Sequence, residues 1–241
     1  PLYSSAASDV YKRQLTGSGL TSDKAHLAYQ MLLKRKYISQ KPLAKLLALK
    51  QAILEYRCDE KVGELLRLAL AATIHPSSNM KFGPEIGLRK KLGRNEEVFG
   101  IFQEKARNIV NDIRKVETNR SLGECRVCVG DSREIGSVLR NLAWNVEYEE
   151  NHMITSPPYP QDHDYTRSVR LELVLLDFAN SASDLRRLKK TMIRSSTRGI
   201  YSTDNDRSYV EKFEEITTLA RKIDRRVRET GGTSGFEKLY G

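Results

Sequence analysis

Gly123-Glu124-Cys125-Arg126-Val127-Cys128-Val129-Gly130-Asp131-Ser132 and His152-Met153-Ile154-Thr155-Ser156-Pro157-Pro158-Tyr159-Pro160 are the stretches on which the fold reading turns. Cys125 to Val129 has strand character and closes on Gly130-Asp131, after which Ser132 can cap a helix with Ile135, Val138, Leu139 and Leu142 facing inward. His152 to Thr155 reads as a second short strand that ends in the two prolines. Strand, helix, strand at this spacing predicts an α/β unit with parallel strands, because a crossover helix is the usual way to bring a second strand parallel to the first.

Outside this unit the pattern is helical. Leu27, Met31, Leu32 and Leu33 give Asp23 to Lys36 a helical period, and Lys36-Tyr37-Ile38-Ser39 has strand character before Pro42. Leu43, Leu46, Leu47, Ile53 and Leu54 line one face of a second helix, with Lys41, Lys45, Lys50 and Arg57 on the other. Val62 to Ile74 and Glu96 to Val116 follow as further helices, separated by a basic, glycine-rich and proline-rich loop from Pro76 to Arg94. Later helices are expected over Ser168 to Phe178, Asp184 to Ile193 and Tyr209 to Arg228.

The 241 residues carry 41 Lys plus Arg against 31 Asp plus Glu, a net charge of +10, which favours a polyanionic partner. No apolar run approaches the roughly 20 residues of a membrane span. Three cysteines do not make a disulfide framework, and a reducing cytoplasm is the simpler setting. Cys125-x-x-Cys128 is not a metal pair if it lies in a strand, where positions three apart face opposite ways; buried structural thiols are expected instead. Residues 1–14, from Pro1 to Gln14, have no initiator Met and resemble translated sequencing-adapter read-through, so they are expected to be a scar on a metagenomic fragment. Residues 15–241 are then part of a longer protein.

Two adjacent prolines cannot continue a helix or a central strand, so the chain must leave the sheet at Ser156 in a stiff turn. At the carboxyl end of a parallel strand, such a turn sits where open α/β sheets bind ligands. Thr155-Ser156-Pro157-Pro158-Tyr159-Pro160 resembles the [D/N/S]-P-P-[Y/F] motif of S-adenosylmethionine-dependent DNA amino-methyltransferases, and Ser in first place is most similar to the cytosine-N4 group. Gln161-Asp162-His163-Asp164-Tyr165-Thr166, with Leu171-Glu172-Leu173 beyond it, resembles a subfamily in which this motif is followed by His-Asp-Tyr-Thr and a helix.

The resemblance implies an incomplete Rossmann-like methyltransferase sheet of parallel strands with a large helical insertion, about residues 43–117. It implies S-adenosylmethionine as cofactor. Leu15-Thr16-Gly17-Ser18-Gly19 resembles the family's F-x-G-x-G loop, in which Gly17 and Gly19 would let the backbone approach the cofactor and Leu15 stands for Phe. Gln40 stands where an acidic residue binds the ribose hydroxyls, and Asp131 where an Asp accepts from the adenine amino group. Asp131 is equally ordinary as a helix N-cap.

An exocyclic amine is a poor nucleophile because its lone pair is delocalised into the ring. Under the resemblance, Ser156 Oγ and the Pro157 carbonyl would accept the two amine hydrogens and aim the lone pair at the methyl group, in the turn stiffened by Pro158. Tyr159 would stack on a base flipped from double-stranded DNA. His163, Tyr165, Arg194 and Arg198 are the expected nucleic-acid contacts, the two arginines lying among hydroxyls in Arg194-Ser195-Ser196-Thr197-Arg198. The implied setting is a prokaryotic or phage cytoplasm, with a cognate restriction endonuclease as a possible partner. Adenine-N6 methylation, an RNA or protein N-methyltransferase, and a basic helical nucleic-acid-binding protein are the alternatives.

Overall fold

The computed structural model describes residues 23–56, 58–81, 87–89, 97–118, 125–141, 154–156, 164–193, 201 and 204–232. The chain divides into two compact units, residues 1–120 with 165–189, and residues 121–164 with 190–241.

In the first unit the expected helices form with bounds close to their periodicity: α1 Asp23–Lys34, α2 Gln40–Glu55, α3 Glu60–Ile74 and α4 Val98–Glu117. Asp59 caps α3 by accepting from the Val62 amide at 3.1 Å. Pro42, in the first turn of α2, removes an amide that has no intrahelical acceptor there. After residue 164 the chain returns as α6 Tyr165–Ser168 and α7 Arg170–Leu175, with a further helix, α5 Ile135–Asn141, lying earlier in the other unit. Helix α3 packs on α2 and α4, and α7 packs on α1 and α3. Between them are buried Tyr29, Leu32, Ile38, Leu43, Leu46, Leu47, Ile74, Val98 and Val174. Burial of such side chains stabilises by roughly 1.5–3 kcal/mol each before chain entropy is counted.

The strand expected over Lys36 to Ser39 does not form. Lys36 takes φ 58°, closing α1 in the left-handed turn common at helix ends, and the Tyr37 amide donates back to Leu32 O. The exposed carbonyls are then met by a single residue: Asn79 Nδ2 donates to Lys36 O at 3.0 Å, and the Asn79 amide donates to Tyr37 O at 2.9 Å. Part of the expected basic loop forms the antiparallel pair β1 Met80–Lys81 and β2 Gly87–Leu88. Arg89 anchors it by donating Nε to Met80 O.

A left-handed residue also ends α7. Asp177 has φ 64°, and its carboxylate meets Lys50 Nζ at 2.6 Å. Lys50 also donates to the buried Tyr29 hydroxyl, whose pKa is raised by burial first and by Asp177 second.

The parallel α/β sheet is contradicted. Among the described residues the one ladder is β1 with β2, which is antiparallel and lies in the first unit. Among the described residues Cys125 to Val129 joins no ladder, with Val127 91% and Val129 105% exposed, and Ile154 is 98% exposed before Ser156. Alternating β-branched residues favour extended backbone locally, but a strand also needs a neighbour to take its amides and carbonyls, and none of the described residues supplies one. The helix after Ser132 begins as a single 3-10 turn, Ser132–Glu134, and continues as α5. Ile135 and Leu139, expected inward, are both half-exposed. Leu142 lies outside the described residues. Helix α8 Ala182–Thr191 spans the boundary of the two units, and α9 Asp206–Val210 and α10 Glu214–Glu229 complete the second. Among the described residues no helix is long and apolar enough to cross a membrane.

Leu43→Ala, which opens a cavity under α2, is expected to destabilise the first unit by about 2–5 kcal/mol, against less than ~0.5 kcal/mol for the half-exposed Leu139→Ala. Urea midpoints of the two variants check this ordering, and equal midpoints would contradict the core assignment.

Candidate active site

The described part of the site is built on residues 131–134. Asp131 adopts extended backbone at the N-terminus of the 3-10 turn, and its Oδ1 accepts from the Arg133 amide at 3.0 Å. The Arg133 guanidinium folds back on the same carboxylate, with Nε 2.9 Å from Oδ1 and Nη2 2.6 Å from Oδ2. These side-chain hydrogen bonds, then the one from the backbone, hold the Asp131 carboxyl below its ordinary range.

Arg133 reaches two further segments. Its Nη1 donates to the buried Asp206 carboxylate, and its Nη2 to the Thr191 carbonyl at 3.2 Å. Beside it, the Tyr209 hydroxyl donates to Glu134 Oε1 at 2.7 Å, which raises the tyrosine's pKa. Residues 131–134, 191 and 206–209 are thus gathered around one cation.

The Asp131 carboxylate is fully engaged by Arg133: Oδ1 accepts from the amide and Nε, and Oδ2 lies 2.6 Å from Nη2 and 3.1 Å from Nε, so on this 44% exposed side chain a further donor has to share an oxygen with the guanidinium. Gly130 has a packing reason of its own, since a Cβ there would lie 2.5 Å from Val138 Cγ2. Ser156 is exposed and outside any helix or strand, in the same unit as Asp131. Gln40 is exposed at the first position of α2 and Tyr165 half-buried at the first position of α6, both in the first unit. Leu15, Gly17, Gly19, Pro157, Pro158, Tyr159, His163, Arg194 and Arg198 lie outside the described residues. Lys190 Nζ stands 5.5 Å from the centre of the Tyr201 ring, a cation–π contact.

The cysteines depart from expectation. Cys58, Cys125 and Cys128 are all free and exposed rather than packed inside. Sequence reasoning also missed Arg133, Asp206 and Tyr209. An alternation of Asp, Ser and Arg is too common to signal a shared cation, and nothing local marks Asp206 as its second acid. Glu172 was noted only as part of a helix, yet it is half-buried with Oε2 unpartnered, and burial raises its pKa.

Removing the cation should expose how much depends on it. Arg133→Ala takes the guanidinium from the buried Asp206 carboxylate, an expected loss of about 3 kcal/mol. Because the Asp131 carboxyl is depressed, its stabilisation is present above the ordinary carboxylate range and is lost as pH falls through the lowered value. In Arg133→Ala the carboxyl is no longer depressed, so the share of the acid loss that comes from Asp131 should disappear and the stability curve should be flatter at low pH. Thermal unfolding from pH 7 down to about 2 reads both effects, and superimposable curves would contradict them.

For Glu172 the sign is opposite. A raised carboxyl contributes stability at low pH that is lost as pH rises through its folded value, so Glu172→Gln should raise Tm at neutral pH and flatten this dependence. A lower Tm at neutral pH would contradict the burial of an ionised Glu172. Compared with protein-family models, with curated proteins and with solved structures, the chain matches none of them.

Proposed function

We propose that this chain carries the catalytic segment of a DNA amino-methyltransferase, acting on an exocyclic base amine, cytosine N4 ahead of adenine N6. The observation that carries the reading is the string from Thr155 to Thr166, in which Ser-Pro-Pro-Tyr is followed by His-Asp-Tyr-Thr and then by helix. Exposure of Ser156 supports it, because this hydroxyl must be reached by a base. S-adenosylmethionine supplies an electrophilic methyl sulfonium when bound.

The chain's own residues do the rest. Ser156 Oγ accepts one amine hydrogen and the Pro157 carbonyl the other, which draws the nitrogen toward tetrahedral geometry and frees its lone pair. Tyr159 stacks on the extruded base and compensates for part of the stacking lost from the duplex. Asp131, kept ionised by Arg133, accepts from the adenine amino group of the cofactor by sharing an oxygen with the guanidinium. Neither a metal nor a covalent enzyme intermediate is required by this direct transfer. The reading places the protein with DNA in a prokaryotic or phage-infected cytoplasm.

A second reading, a basic nucleic-acid-binding protein without catalysis, is favoured by the dominance of helices among the described elements. The two separate cleanly. Under the enzyme reading, Ser156→Ala lowers methyl transfer about 100-fold while leaving cofactor affinity within twofold, since the hydroxyl acts on the amine. Asp131→Ala instead weakens cofactor binding by about 1.5–3 kcal/mol, the contribution of a hydrogen bond to a charged group. Calorimetric titration with S-adenosylmethionine and a filter assay of labelled DNA measure these outcomes. Absence of cofactor binding in the unaltered chain would favour the non-catalytic reading.

A further inference from the structure

Helix α10 buries little and displays much. Its inward face is Thr217, Ala220 and Asp224, flanked by half-buried Ile223 and Val227. On the opposite face, Lys222, Arg225 and Arg226 recur at the i, i+3, i+4 spacing that places side chains together, and all three are exposed. Lys222 to Arg226 is a rise of about 6 Å, one turn. Lys222 and Arg225 have no acidic partner among the described residues, and Arg226 meets Glu229 only at 3.7 Å. Arg228, 68% exposed, continues the positive edge and reaches Asp224 at 3.6 Å.

Part of this arrangement is explained by the helix itself. Glu214 and Glu215 in the first turn and arginines in the last complement the macrodipole. The dipole acts over the last turn, however, and Lys222 lies nearly two turns from the C-terminus. Packing does not account for the stripe either, as it faces away from the buried side.

We propose that the Lys222, Arg225 and Arg226 face of α10 is a docking surface for the phosphate backbone of DNA. A polyanion with regularly spaced charges complements three adjacent solvated cations, and their counterions are released when it binds. An anionic membrane fits less well, because a helix that lies in a bilayer interface needs apolar residues between its cations. Ile223 and Val227, the apolar residues interspersed with these cations, are half-buried, and the exposed Ile216 and Leu219 lie in the turns before Lys222. Contacts of this kind orient a duplex without reading its sequence. The inference rests on the proposed function for the choice of DNA as the polyanion, and it adds a binding element remote in sequence from Ser156.

The test is fluorescence anisotropy of the full chain with a labelled mixed-sequence duplex, from about 50 to 200 mM salt. The triple reversal Lys222→Glu, Arg225→Glu, Arg226→Glu should weaken binding at least about tenfold and flatten the plot of log affinity against log salt by about 2 to 3. A matched reversal of exposed cations in the first unit, Lys61→Glu, Arg67→Glu, Arg107→Glu, should leave that slope nearly unchanged. The neutral triple, Lys222→Gln, Arg225→Gln, Arg226→Gln, should act in the same direction and carries the test if the reversed protein loses helicity. An unchanged slope in the neutral triple, or equal flattening by the first-unit control, overturns the proposal. So does loss of binding to phosphatidylserine-containing vesicles with the DNA slope intact, which would assign the face to membrane. Neither methyl transfer nor cofactor binding enters these readouts, so a chain that binds no S-adenosylmethionine while its DNA binding depends on α10 counts against the enzyme reading and leaves this one standing.

Discussion

The second unit is organised around the guanidinium of Arg133. Among its described residues the buried side chains are Asp206, Thr217, Ala220 and Asp224, a set with one apolar member. Hydrophobic burial of that extent cannot by itself offset the cost of ordering several helices. Arg133 supplies a different constraint. One planar group satisfies the Asp131 carboxylate, the Asp206 carboxylate and the Thr191 carbonyl, so three distant segments share one point of attachment. Removing the guanidinium therefore takes a donor from all three at once.

The first unit solves the same problem with apolar packing. Its helices bury a continuous cluster from Ala28 to Leu175. Among its described polar contacts, Asn79 meets the Lys36 and Tyr37 carbonyls, and Lys50 joins the side chains of Tyr29 and Asp177. Such a unit tolerates surface change and is sensitive to lost volume. The second unit has the reverse sensitivities.

This contrast explains what was legible in the sequence. Helices α1 to α4 were readable because a period of 3.6 in Leu and Ile reports burial on one face, and burial is what holds them. Cys125 to Val129 and Ile154-Thr155 carry equally clear β character, yet residues with strand propensity do not make a strand unless a neighbouring chain completes the hydrogen bonds. Lys36 to Ser39 was misread for a related reason: Asn79, forty residues away from Ser39, takes the backbone groups that a sheet would have used. The shared cation at Arg133 was invisible because its second acid lies 73 positions further on. Of the proposed site, Asp131 was legible as a cap, and its ion pair was not.

Ser156 stands apart from these structural roles. It is exposed and belongs to no helix or strand. The role proposed for it is chemistry on a base amine. Nucleoside mass spectrometry of unmethylated duplex DNA, incubated with the chain and methyl-labelled S-adenosylmethionine, tests that directly. Labelled N4-methylcytosine is the result expected, with N6-methyladenine reassigning the base within the same chemistry. Cofactor bound by the chain, with no labelled nucleoside of either kind formed, would contradict the role given to Ser156.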